Sequence, residues 1–153
     1  MARKPDPAQL GLRNYSHPDR FGDWLGYEVV QVDRQAQRAE VALQIREDHL
    51  SSARKVHGGV ISAFFDFACG AAVFSTMSPD DFCSTVELKV NYFHPIHQTD
   101  RLIARTEVVF RGKKLCVIHG RLYRNDDFQQ VVAMATATFN IVAPRPPVTK
   151  PST

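Results

Sequence analysis

Between Gly58 and Ser78 the chain reads GGVISAFFDFACGAAVFSTMS, and Asp66 is its single charged residue. The run is rich in Ala and Phe, opens on a Gly pair and is closed by the turn residues SPDD at 78–81. That pattern predicts one long helix over 58–78. A helix apolar on nearly every side has to be covered on most of them. A lipid bilayer is one way to do this, and the length is right. A mid-helix Asp, however, costs about 2.5–3.5 kcal/mol on insertion, and half-polar strands follow with no second span. The segment is therefore expected inside a protein core, wrapped by what the rest of the chain forms.

The rest reads as strands. FGDWLG at 21–26 predicts a short helical turn, and YEVVQVDRQ a strand. In RAEVALQI, Ala39, Val41, Leu43 and Ile45 alternate with polar or small residues, as in a half-buried strand. A turn is expected over Asp33–Gln37, and a polar loop, REDHLSSARKV, over 46–56. After the helix, CSTVELKVNYF places Val86, Leu88, Val90 and Tyr92 against Thr85, Glu87, Lys89 and Asn91. RLIARTEVVF, LCVIHGRLYR and QVVAMATATFNIV complete the set, with turns at Arg111-Gly112-Lys113 and Asn125-Asp126-Asp127 suited to hairpins. The expected architecture is α+β: one curved antiparallel β-sheet wrapped around one long central helix. Residues 1–20 read as a polar, proline-containing arm, 21–142 as a single domain, and 143–153 as a Pro-rich disordered tail.

Composition removes other classes. Lys and Arg number 19 against 16 Asp and Glu, a formal charge of +3, too mild to imply nucleic-acid binding. The three cysteines, Cys69, Cys83 and Cys116, form no CxxC pair and have no local base beside them. They are expected to be buried, reduced thiols in a cytoplasmic protein. The N-terminus lacks an apolar signal core. His94 and His97 have metal-like spacing but no evident third ligand, so no metal is expected. No GxSxG elbow or Walker loop occurs.

Two features then point to chemistry. A lone buried carboxylate is normally paired or placed at a cavity. Within one helical turn Asp66 has only Ser62, Ala63, Cys69 and Gly70 beside it, small residues that leave room for an approaching group. Asp66 is either a nucleophile or general base facing a cavity, or a structural Asp bonded across the core. Upstream, His57-Gly58-Gly59 sits where a polar loop meets a helix N-terminus. Free N–H groups and the positive dipole end lie there, and two glycines would let an oxygen come close. A tight turn alone would also explain them.

The segment VHGGVISAFFDFACGAA resembles the HGG-to-Asp helix of hotdog-fold acyl-CoA thioesterases of the phenylacetate-degradation (PaaI-like) type. STVELKVNYFHPIHQTDRLIARTEVVFRGKKL is similar to the third and fourth strands of that family, and the likeness covers about residues 22 to 142. The resemblance implies a homodimer built by strand pairing, often assembled into a homotetramer, with active sites at the subunit interface. Asp66 matches the catalytic acid, and Gly58 the residue whose backbone N–H holds the thioester oxygen. Thr85 matches a hydroxyl near the site, and His57 is assigned to bracing the loop. Many members carry Asn six residues before the His, where this chain has Ser51, so one oxyanion donor is exchanged for a shorter group.

Coenzyme A would enter as part of the substrate, with no separate cofactor. Its phosphates call for a basic mouth, for which Arg54, Lys55 and the turn cations Arg111, Lys113 and Lys114 are candidates, with Gly59 beside the thioester. A merely solvated turn is the plainer account of 111–114. Phe64, Phe65 and Phe74 fit the core better than an acyl pocket. The expected function is acyl-CoA thioester hydrolysis. A non-catalytic acyl-CoA sensor on the same fold is the alternative, supported by Ser51, and a dehydratase is a weaker third.

Overall fold

A computed structural model describes residues 17–143. The expected arm and tail fall almost wholly outside the described residues. Helix α1 spans Arg20–Leu25, followed by strands β1 (Tyr27–Asp33) and β2 (Arg38–Gln44), helix α2 (Gly58–Phe74), and strands β3 (Phe82–Tyr92), β4 (Arg101–Arg111), β5 (Leu115–Arg124) and β6 (Ala133–Val142). The strands form one antiparallel sheet in the order β1-β2-β4-β5-β6-β3. α2 carries the chain from β2, near one edge, to β3 at the other. This is the hotdog arrangement expected from the sequence.

Phe64 and Phe65 explain why the sheet must curve. Neighbours on a helix point about 100° apart, yet both side chains are 0% exposed. A flat sheet would cover one and leave the other in water. Each burial is worth on the order of 1.5–3 kcal/mol, so wrapping is strongly favoured. Close approach is needed as well: a Cβ at Gly120 on β5 would lie 3.0 Å from the Phe65 ring. The buried Thr106 hydroxyl on β4 donates to the Ala68 carbonyl at 2.9 Å, tying sheet to helix without leaving a polar atom unmet.

Two details differ from the sequence expectation. α2 stops at Phe74 rather than 78, because the Ser75 and Thr76 hydroxyls turn back to the Ala72 and Val73 carbonyls. In β3 the alternation breaks. The pairing with β6 shifts between Thr85 and Glu87, leaving Val86 as an extra, 61% exposed residue. A bulge reverses the parity of everything before it. Thr85 therefore shares the helix-facing side with Leu88, Val90 and Tyr92, not the opposite one.

His49, in the 3₁₀ turn Glu47–His49, is wholly buried with its ring edge-on to Trp24. Its Nδ1 accepts from the Arg46 amide at 3.2 Å, and the Arg46 guanidinium lies 3.2 Å from Nε2. A protonated ring would lose the first contact and repel the second. Burial, with Arg46 adding to it, holds the His49 pKa below its ordinary value. The unfolded chain then binds more protons than the folded one, so stability rises with pH. It should be full above about 6.5 and drain as pH falls below that. Thermal unfolding of wild type and His49→Asn, compared between about pH 7.5 and 5.5, should show a smaller acid loss in the variant. Parallel curves would remove His49 as the cause.

Candidate active site

α2 begins with a tightly ordered turn. His57 is its N-cap, and its Nδ1 accepts from the Gly59 amide at 2.9 Å. A Cβ at Gly59 would sit 3.0 Å from that nitrogen, so the cap closes easily only over glycine. The Val60 amide donates to the His57 carbonyl at 2.9 Å. The Gly58 carbonyl accepts from the Tyr92 hydroxyl at 3.0 Å. Among the described residues no acceptor meets the Gly58 N–H. It is left at the positive end of the helix dipole. The described atoms nearest a Cβ at Gly58 are the Tyr92 hydroxyl and ring, at an ordinary 3.6–3.9 Å, so packing among the described residues does not demand glycine there.

Asp66 lies on the one stripe of α2 that the sheet leaves partly uncovered, with Ser62, Ala63, Phe67 and Phe74. Its Oδ1 accepts from the Thr85 hydroxyl at 2.7 Å. That bond exists because the Val86 bulge turns Thr85 inward. The other carboxylate oxygen has no partner among the described residues, so Asp66 is oriented at one oxygen and available at the other. The neighbouring Cys69 is fully buried. Burial pushes its thiol pKa up and the Asp66 charge adds to this, so Cys69 stays a protonated core residue. Burial also raises Cys116.

The remaining sequence candidates divide. Ser51 lies in a loop closed by the Leu50–Val56 bridge, its amide donating to the Lys55 carbonyl at 2.7 Å. Arg54 in the same loop reaches Glu47 at 3.1 Å, an exposed pair of little energetic weight. Lys55, Gly58, Tyr92 and His94 border a cavity of ≈ 290 Å³ at the start of α2. Arg111, Lys113 and Lys114 border a different one, ≈ 540 Å³, with Asp81 and the end of β6. Arg111 donates from Nε to Thr76 at 3.2 Å, just beyond the far end of α2. The helix itself is about 24 Å long, so this basic group does not join the Gly58 cavity of its own chain. Phe64 and Phe65 are core, as expected. Among the described residues no group of three His, Cys, Asp or Glu could hold a metal, and no helix is long and apolar enough to cross a membrane.

Sequence reasoning missed Tyr92, taking it only as an apolar strand position. Its hydroxyl also meets Ser62 Oγ at 2.6 Å. No local signal could have found this, since the partners lie far apart in sequence and meet only when β3 packs beside α2.

Comparison with known proteins agrees with this fold. Residues 55–129 match the model of the thioesterase superfamily. A candidate esterase of Pseudomonas aeruginosa is 29% identical over 119 residues, spanning 78% of this chain and 86% of its own. A thioesterase family protein of Silicibacter pomeroyi superposes with a TM-score of 0.76 at 26% identity, covering 91% of this chain and 100% of that one. A candidate thioesterase from Ralstonia eutropha, related to phenylacetic acid degradation, gives a TM-score of 0.75 at 26% identity, covering 88% and 97%.

The two helix-end residues should respond differently to substitution. His57→Ala removes the cap and should lower stability by about 1 kcal/mol, a fall of roughly 2–4 °C in Tm for a chain of this size. Gly58→Ala should cost no stability, because its methyl group meets only ordinary contacts. Thermal denaturation decides the matter, and a destabilised Gly58→Ala would mean the glycine is structural.

Proposed function

We propose that this chain, whose residues 55–129 match the thioesterase superfamily, hydrolyses the thioester of an acyl-CoA to free acid and coenzyme A, with Asp66 as nucleophile or general base. The observation that carries this reading is the helix start at Gly58. Cap, strand and helix satisfy every group around one backbone N–H and leave that one open, in the form an oxyanion requires. As base, Asp66 takes a proton from water and the hydroxide adds to the thioester carbonyl. The oxyanion rests on the Gly58 N–H. Collapse expels the thiolate, which receives the proton from Asp66. As nucleophile, an Asp66 oxygen adds to the carbonyl, the C–S bond breaks to release the coenzyme A thiolate, and water then opens the resulting mixed anhydride to the free acid and Asp66. Thr85 orients the carboxylate in both routes.

From Gly58 to Asp66 the helix rises about 12 Å, too far for one carbonyl to meet both. The reading therefore takes Gly58 from one protomer and Asp66 from another, in a homodimer joined along β3. A pair of such dimers would make the homotetramer. The cations at 111–114 then serve coenzyme A phosphates. Ser51 in place of Asn supports a second reading, an acyl-CoA sensor that binds without cleaving, because a shorter donor reaches the carbonyl or water less well.

A panel of aryl-, short- and medium-chain acyl-CoAs with a free-thiol readout tests both. Wild type should release thiol from at least one member, and Asp66→Ala should lower kcat by about 10²–10⁴-fold. Equal turnover by the two proteins sinks the role of Asp66. Tight binding with no thiol release favours the sensor.

A further inference from the structure

We propose that Tyr92 is a positioning residue, a strut from β3 that holds the Gly58–Gly59 backbone so that the Gly58 N–H keeps its aim. The role rests on the thioesterase reading above. Two consecutive glycines at the first turn of a helix have no side chains to restrain them and would fray readily. The peptide that links them is nevertheless fixed at both ends. Its carbonyl accepts from the Tyr92 hydroxyl at 3.0 Å, and its N–H donates to His57 Nδ1 at 2.9 Å. The preceding peptide has its carbonyl held by the Val60 amide, which among the described residues leaves only the Gly58 N–H unengaged.

The hydrogen-bond directions are forced. A carbonyl only accepts, so the single Tyr92 hydrogen goes to Gly58. The Ser62 hydroxyl, 2.6 Å away, must then donate to the Tyr92 oxygen. Ser62 lies one helical turn beyond Gly58, so α2 braces the strut that braces its own first turn. The Tyr92 ring also covers the Gly58 flank, 3.6–3.9 Å from where a Cβ would lie. An oxyanion donor is worth most when it needs no reorientation during reaction, and this chain of bonds supplies that fixity. Tyr92 need not touch the substrate to do so.

Tyr92→Phe keeps the ring and removes only the hydroxyl. On the acyl-CoA that wild type cleaves fastest, its kcat should fall about five- to tenfold with KM within about twofold, because the lost interaction is made only in the transition state. Ser62→Ala should give a smaller fall. The double variant should be no slower than Tyr92→Phe alone, since Ser62 acts through the Tyr92 oxygen. An active wild type matched in kcat by Tyr92→Phe overturns the strut and leaves the thioesterase reading standing. Losses that multiply in the double variant also overturn it. A wild type that releases no thiol from any acyl-CoA overturns the reading itself, and the strut with it.

Discussion

Everything in this fold answers to the enclosure of α2. The helix is apolar on so many sides that water must be kept from two adjacent faces at once, as the complete burial of both Phe64 and Phe65 requires. A six-stranded sheet that curves around it does this, and Gly120 and Thr106 mark where sheet and helix come closest. One stripe is left over. Polar groups cannot be placed elsewhere on such a helix without losing their hydration. Asp66 and Ser62 therefore lie on that stripe, and the backbone donor lies at the helix end.

β3 sets the geometry of that stripe. It touches α2 through two hydrogen-bonded side chains, Thr85 at Asp66 and Tyr92 at Gly58 and Ser62. Uninterrupted pleating would place Thr85 and Tyr92 on opposite faces, because seven positions separate them and the side-chain period is two. The extra residue at Val86 restores them to one face. The bulge is thus the device that allows one strand to orient a carboxylate and brace a helix start together.

Much of this was legible in the sequence. The helix, its lone carboxylate, the HGG opening and the succession of strands along the chain all follow from local periodicity and composition, whereas the place of β3 beside β6 does not. His57 as a brace rather than a base is consistent with its observed capping bond. What could not be read depended on contacts between distant segments. The helix end at Phe74 is set by hydroxyls that could equally have continued the turn. The Val86 bulge is invisible to an alternation pattern because Val suits either face. The Tyr92 bonds need β3 already packed on α2. The chain order also does not show that the basic turn at 111–114 sits near the far end of α2 from the HGG loop.

One chain alone leaves matching gaps. Among the described residues the Gly58 N–H lacks an acceptor, one oxygen of Asp66 lacks a donor, and β3 has a paired neighbour, β6, on only one side. The first two cannot satisfy each other, standing about 12 Å apart on a rigid helix. A second copy added along β3 would extend the sheet and bring a second α2 to the same strand edge. Under the proposed reaction that operation closes all three gaps, supplying a partner amide for each carboxylate with a substrate carbonyl between them. The strand that would join the two chains also carries Thr85 and Tyr92. Assembly and alignment of the reacting groups would then be consequences of the same backbone, and a change in how β3 pairs would be felt at the carboxylate and at the oxyanion donor together.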